Sequence, residues 1–298
     1  MAGTGASGKT QEGVAGAATS VALVANERSG TSKPALYAER LRAFGAEVRL
    51  FDVDELDAAV GWGADRMVVA GGDGSIAPVA AAAGAAGVPL AVIPAGTAND
   101  FARRLGLPDS PTAACRLAAC GTRLRSLELG WMNEQRPFVN AASAGLPAPA
   151  ADNARSWKKR LGPFAYAAGA VTAGLSAKPL TCLVRCNGRE LLAGEAWQVT
   201  VAASGAFGAG ASVPEADPSD GALEVVAIEA GPRIGLVGLA YRLRSGRLTS
   251  HPRAFHAHGD DVEVQVPDGT RFNVDGEIVT EGAARFTAVK AGFRLVAG

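Results

Sequence analysis

Apolar and polar positions follow two different rhythms along the chain. Between residues 20 and 108 short apolar runs are separated by stretches with helical spacing. SVALVAN reads as a buried strand, KPALYAERLRAFG as an amphipathic helix closed by Gly45, and AEVRLFDV as a second strand. DRMVVAGGDG predicts a third strand running into glycines, SIAPVAAAAGAAG an Ala-rich helix, and PLAVIPAG a fourth strand ending in a loop. Strands separated by helices of about 10–15 residues pair in parallel. This part is therefore expected to be a Rossmann-like layered α/β domain with ligands beyond the carboxyl ends of its strands.

After Gly130 the helical rhythm mostly stops. One helix is predicted in ARSWKKRLGPFAYAAGAVTAGL. The remainder gives LTCLVRCNG, AWQVTVAAS, ALEVVAIEA, DDVEVQVPDG and TRFNVDG, short Val- and Thr-rich runs divided by Gly, Asn, Asp or Pro. Repeated short strands with turn signals predict an all-β second domain, a sandwich. The last segment, ARFTAVKAGFRLVAG, suits either closing that sandwich or returning to the first domain. The expected organisation is a flexible tail over 1–19, an α/β domain over 20–130 and a β-sandwich over 131–298, whose last ten or so residues return to the first domain in one of the two readings.

The tail contains GTGASGKT, residues 3–10, which matches a P-loop pattern. That pattern works when a buried strand delivers the chain into the glycines and a helix receives it. No apolar strand leads into it here, and QEGVAGAATS after it has no helical stripe, so it reads as low-complexity tail.

A chain of 298 residues, 48% hydrophobic, supports two cores. Lysine plus arginine equals aspartate plus glutamate at 29 each, so no global field draws it to nucleic acid, which is not expected as a partner. Cys115, Cys120, Cys182 and Cys186 form no C-x-x-C pair and sit in apolar surroundings typical of reduced thiols, pointing to the cytosol. No signal peptide or transmembrane span is expected.

VVAGGDGS, residues 68–75, has the context the tail motif lacks. A strand leads into Gly71, Gly72 and Gly74, which permit close approach and positive φ; Ser75 can cap the next helix, and Pro78 fits its first turn. Asp73 inside this cradle would repel a bare phosphate, which suggests magnesium between carboxylate and phosphate oxygens. An ordinary tight turn is the competing reading. IPAGTANDFARRLGLP, residues 93–108, then places Gly96, Thr97, Asn99 and Asp100 between a strand and a helix ending at Gly106. Two adjacent parallel strands would thus present two glycine loops, each with one aspartate, at the same sheet edge. That convergence favours a site, while Thr97 or Asn99 as a helix cap and Asp100 as a first-turn charge are the competing reading of the second loop.

Gly-Gly-Asp-Gly followed by Pro-x-Gly-Thr-x-Asn-Asp-Phe-Ala resembles the diacylglycerol kinase catalytic-domain family, which includes bacterial lipid kinases and sphingosine kinases. The likeness covers nearly all of 20–298. ANERSG is similar to the family's first loop, with Glu27 in place of proline. RSLELG has Glu128 where an aspartate is usual, and WKKRLGPFAYAAGA, FGAGASVPEADPSDGALEV and FNVDGE resemble later segments.

The resemblance implies transfer of the γ-phosphoryl group of ATP to a lipid hydroxyl, with magnesium as cofactor. By the same likeness, Gly71, Gly72, Gly74 and Ser75 would hold phosphates, and Asn26, Ser29, Gly96, Thr97 and Asn99 would line the nucleotide site. Asp73, Asp100 and Glu128 would position magnesium, directly or through water. Asp275, a carboxylate near its ordinary pKa of about 4, would accept the proton of the lipid hydroxyl as the bond forms, with Glu277 in support. Without the family, Asp275-Gly276 reads as a two-residue hairpin turn. Asp217 and Asp220 match a turn that binds structural magnesium in some relatives, against a plain Asp-Gly turn. Ala77 and Pro78 replace the family's Asn-Glu after the first glycine loop, and Asn is absent near Ser204, which places nucleotide contacts in question.

His251, His256 and His258 show no third ligand at suitable spacing, so no zinc site is expected. Arg155, Lys158, Lys159 and Arg160 beside Trp157 suit either a helix at an anionic membrane surface or a solvated helix start. The expected protein is cytoplasmic and peripheral at the inner membrane face. An NAD-kinase-like small-molecule kinase and a non-catalytic lipid or nucleotide sensor are the alternatives. Oligomeric state is open, a homodimer included.

Overall fold

The computed structural model describes residues 18–26, 33–146, 178–207, 211–213, 215–233, 235–236, 238, 242 and 249–298. The tail motif at 3–10, Ser29, and the helix expected to carry Arg155, Trp157, Lys158, Lys159 and Arg160 lie outside them.

Four apolar strands, β1 (Ser20–Ala25), β2 (Glu47–Phe51), β3 (Arg66–Gly71) and β4 (Leu90–Pro94), pair in parallel in the order β2-β1-β3-β4. Helices α1 (Pro34–Ala43), α2 (Leu56–Gly61) and α3 (Asp73–Ala85) make the connections, and α4 (Asp100–Arg104) and α5 (Pro111–Cys120) follow β4. Both faces of the strands are covered, which is why they read as continuous apolar runs. Ala22, Val24, Met67 and Val69 face the α3 side, while Val21, Leu23 and Val68 face α1 and α5. Gly106 closes α4 with φ +68, and the Leu107 N–H reaches back to the Ala102 carbonyl at 2.9 Å.

The strands that follow pair antiparallel with one another: β5 (Arg123–Met132), β6 (Arg136–Phe138), β7 (Ala141–Gly145), β8 (Leu180–Cys186), β9 (Arg189–Ala202), the short β10 (Ala206–Phe207) and β11 (Ala211–Ser212), β12 (Leu223–Glu229), β13 (Ala254–Gly259), β14 (Asp261–Val274) and β15 (Glu277–Ala297). The two long strands β9 and β14 each serve two layers. Both pair with β8 near one end and with β7 near the other. Between the layers lie Phe138, Val184, Val201, Phe272 and Phe286, with the Phe138 and Phe286 rings edge to face at 6.0 Å.

The final strand, whose destination the sequence leaves open, does both things. Its first half pairs with β14; residues 286–297 pair with β5, and Leu295 lies beside Leu90 of β4, in parallel. A register shift between Val289 and Phe293, with Ala291 at φ +51, bends it past α3. Of the four cysteines, Cys115, Cys182 and Cys186 are buried thiols, whereas Cys120 is exposed, contrary to its apolar sequence context. Among the described residues no helix is long and apolar enough to cross a membrane.

At the bend, α3 and β15 meet backbone to backbone. A Cβ on Gly84 would stand 1.9 Å from the Gly292 carbonyl oxygen. Gly84→Ala is therefore expected to cost at least about 1–3 kcal/mol of stability, read as a thermal midpoint several degrees lower. An unchanged midpoint would show that this contact is not close.

Candidate active site

Strand β3 delivers the chain into the glycine turn at Gly71, and α3 starts at Asp73, flanked by Gly72 with φ −92 and ψ −177. Contrary to the sequence expectation, Gly71, Gly72 and Gly74 do not occupy the left-handed region. Absence of side chains is what the turn uses. A Cβ on Gly96 would sit 2.5 Å from the Gly72 Cα, and one on Gly72 would sit 3.2 Å from the Gly96 Cα, so the two loops touch through bare backbone. Ser75, expected as a helix cap, is instead the third residue of α3, and its N–H donates to the Gly72 carbonyl at 3.0 Å. Pro78 lies inside the helix rather than in its first turn, where it has no N–H to offer the Gly74 carbonyl.

The Asp73 carboxylate crosses to the second loop. Its Oδ2 accepts the Asp100 N–H at 3.1 Å; its Oδ1 accepts the Phe101 N–H at 2.9 Å and the Asn140 Nδ2 at 3.2 Å. Asp73 thus satisfies the opening donors of α4 from another element. Asn99, which precedes that helix with φ +50, spends its own side chain inside the loop. Its Oδ1 accepts the Gly96 N–H at 2.9 Å and its Nδ2 donates to the Gly96 carbonyl at 3.1 Å. Buried Asp100 pairs with Arg103 at 2.9 Å. Thr97 is exposed, and Asn26 follows β1, half-buried.

Facing this pair of loops is the β14–β15 hairpin. Val274 pairs with Glu277, and Asp275 and Gly276 adopt φ +47 and +94, a two-residue turn with both central residues left-handed. The two-residue turn expected at Asp275-Gly276 is thus present. The Asp275 carboxylate accepts three successive N–H groups, from Val139 at 2.7 Å and from Asn140 and Ala141 at 3.0 Å each. Burial pushes it up to about 7; the three N–H groups pull down against that, and the charge of Asp73 adds to the rise. The expectation of a carboxylate near 4 is corrected accordingly.

Glu277 does not reach its expected partner through a direct bond. It pairs with Arg136 at 2.8 Å, and its Oε1 lies 3.4 Å from where a Gly74 Cβ would be, so it leans over the glycine turn. A cavity of about 690 Å³ opens here, lined by Gly74, Ala77 and Pro78 on one side and by Arg136, Asp275 and Glu277 on the other. Its size is that of a small-molecule site. Ala77 and Pro78 contribute no polar side chains to this wall.

Asn140, Ser204 and Arg136 escaped sequence reasoning. Asn140 is buried, and its Oδ1 accepts the hydroxyl of buried Ser204 at 2.8 Å. The one signal was a polar amide inside the apolar run FVNAA.

Glu128 is 2% exposed; its Oε2 accepts the Gly221 N–H at 2.8 Å, its Oε1 has no donor among the described residues, and the Asp220 carboxylate lies beside it. Asp217 accepts the N–H and hydroxyl of Ser219, and Asp220 accepts the Ala222 N–H, as plain Asx turns do. Arg104 fastens α4 to the same region through the carbonyls of Ser204 (3.1 Å) and Ala216 (2.9 Å). Among the described residues no three acidic, histidine or cysteine side chains converge closely enough to hold a metal directly. Asp73, Asp100 and Glu128 thus form no ready-made cage. His256 and His258 both close on buried Glu224, a partner the sequence did not reveal.

Comparison with known proteins shows the family. Residues 20–132 match the diacylglycerol kinase catalytic domain, and residues 140–297 match the YegS C-terminal NAD kinase beta sandwich-like domain. The chain is 31% identical over 277 residues to a Pseudomonas fluorescens protein named probable lipid kinase YegS-like, covering 88% of this chain and 89% of that one. It is 26% identical over 247 residues to a diacylglycerol kinase of Mycobacterium tuberculosis, covering 81% and 79%. A crystal structure of a diacylglycerol kinase from Bacillus anthracis superposes with a TM-score of 0.72 at 19% identity, covering 97% and 99%, a likeness of fold.

Burial raises the Glu128 pKa to about 8, and the protonated acid can donate to Asp220. In the unfolded chain Glu128 titrates near its ordinary value of about 4.3. Between those values the folded state binds more protons, so stability falls as pH rises from about 4.5 to 8. Glu128→Gln is expected to flatten that slope and to melt several degrees above the wild type at pH 8.5. Equal pH slopes in the two proteins would refute the assignment.

Proposed function

Because the chain belongs to the diacylglycerol kinase family and is a lipid kinase, we propose that it transfers the γ-phosphoryl group of ATP to the hydroxyl of a diacylglycerol-like lipid, with Asp275 as general base. The observation that carries this reading is the Asp275 carboxylate, held by three backbone N–H groups and close enough to Asp73 of the glycine turn to feel its charge.

In the proposed reaction the triphosphate lies on the backbone of Gly71, Gly72 and Gly74 and against Gly96, where a Cβ would collide. Ser75, Thr97, Asn99 and Asn26 would line the nucleotide side; Ser29, assigned there by resemblance, lies outside the described residues. The lipid hydroxyl enters the cavity beside Asp275. As its oxygen bonds to the γ-phosphorus, its proton passes to Asp275 and the bond to the β-phosphate oxygen breaks, releasing ADP. A base titrating near neutrality suits this role better than one near 4, because it accepts the developing proton more readily and still is ionised at pH 7.5. Glu277, through Arg136, forms the rim of the cavity and supports the hairpin.

Magnesium fits this donor set. Mg²⁺ takes most of its ligands from water and phosphate and needs one or two carboxylates. Asp73 lies in the cradle with its charge unneutralised by any basic side chain in its hydrogen bonds. Asp73 would hold the ion, and Asp100 and Glu128 would contribute through water. When bound, the metal offsets the phosphate charge. The turn at Asp217 and Asp220 is a candidate for a structural ion. The acceptor places the reaction at a bilayer surface, and ATP places it on the cytoplasmic side; the basic segment around Trp157 is the proposed membrane contact.

The test incubates labelled ATP and magnesium with lipid vesicles of varied acceptor. Wild-type protein is expected to label a diacylglycerol-like lipid, to lose activity on chelation, and to show kcat/KM falling below about pH 7 as Asp275 becomes protonated. Asp275→Asn is expected to lower kcat about 10²–10⁴-fold. Equal labelling by the variant would remove Asp275 from the reaction, and labelling of NAD in place of lipid would favour a small-molecule kinase.

A further inference from the structure

We infer that Asn140 is a positioning residue for this transfer, a single link that fixes the gap between the carboxylate on the acceptor side and the carboxylate in the phosphate cradle. Its backbone N–H donates to Asp275 Oδ1 at 3.0 Å, and its side-chain Nδ2 donates to Asp73 Oδ1 at 3.2 Å. This role presupposes the phosphoryl transfer proposed above.

The orientation of the amide follows from its neighbours. An ionised carboxylate only accepts, so the NH₂ group must face Asp73 and the Oδ1 must face Ser204, whose hydroxyl donates to it at 2.8 Å. A flipped amide would set oxygen against oxygen at Asp73. Ser204 is itself fully buried and anchored, its N–H on the Val139 carbonyl at 3.2 Å and its own carbonyl on Arg104 Nε at 3.1 Å. The Asn140 carbonyl accepts the Ala203 N–H at 2.9 Å. Asn140 is 2% exposed, so water has little access to replace a lost contact.

Val139 and Ala141 hold Asp275 through their own N–H groups. Replacing the Asn140 side chain therefore leaves the three bonds to Asp275 available and removes the connection to Asp73 together with the Ser204 contact that orients it. The predicted signature is correspondingly narrow: the substrates still bind, but base and phosphate no longer meet at the right spacing. Displacements of about 1 Å at a reacting centre cost on the order of 10²-fold in rate.

Asn140→Ala is expected to lower kcat about 10²-fold, with KM for ATP and for lipid within about threefold of wild type. Ser204→Ala, which frees the amide to turn, is expected to lower kcat by roughly tenfold in the same pattern, and it decides the matter if Asn140→Ala does not fold. A kcat within about threefold of wild type in the folded variant, or a rise in KM at constant kcat, would overturn the inference. Crystal structures of wild type and variant give a readout free of activity. A displaced Asp73 carboxylate supports the role. An unmoved one overturns it, whether or not any lipid is labelled. Failure of the wild type to label lipid would count against the proposed function alone.

Discussion

One carboxylate ties the site together. Asp73 leaves the glycine turn, accepts the first N–H groups of α4 and accepts the amide of Asn140, so it fastens its own turn to two segments distant in sequence. It can reach them only because Gly72 and Gly96 bring their backbones into contact; a methyl group on either would push the loops apart. The same charge that organises α4 also presses on Asp275 and helps to lift its pKa. Structural and chemical demands on Asp73 are thus inseparable, and the site pays for its cohesion with electrostatic tension between two acids.

The opposite wall depends on β15. This strand begins at the Asp275 hairpin, runs along β14, bends at Ala291 and ends beside β5 and β4. A carboxylate on a two-residue turn would ordinarily project into solvent. Here the hairpin tip is pressed against residues 139–141, whose successive N–H groups fix the carboxylate in place. Arg136 and Glu277 then close the rim with an ion pair exposed enough to open at little cost.

The parallel strands were legible because both of their faces are buried, leaving apolar runs that punctuation by Gly45 and Gly106 delimits. Of the two reasons the sequence offered for the glycines at 71–74, close approach and positive φ, the structure uses the first, and only three-dimensional contact reveals that Gly72 makes its approach to Gly96. Ser75 and Pro78 were displaced by a few residues because α3 starts at Asp73, earlier than cap preferences indicate. Asp275 was visible as a turn, and it is resemblance that makes it the proposed base. Asn140, Ser204 and Arg136 were not, since a lone polar residue in an apolar strand gives no sign of which distant carboxylate it will meet. Glu128 was assigned to a metal by likeness of position, whereas its described partners are in the turn at 220–222.

The central claim is that Asp275 faces a triphosphate seated where Gly72 meets Gly96. The most direct measurement is a crystal structure with magnesium and a non-hydrolysable ATP analogue. The account predicts the γ-phosphate over residues 71–74, with Asp275 across the cavity from it. A triphosphate bound away from that junction, or an Asp275 carboxylate shielded from it by protein, would contradict the account.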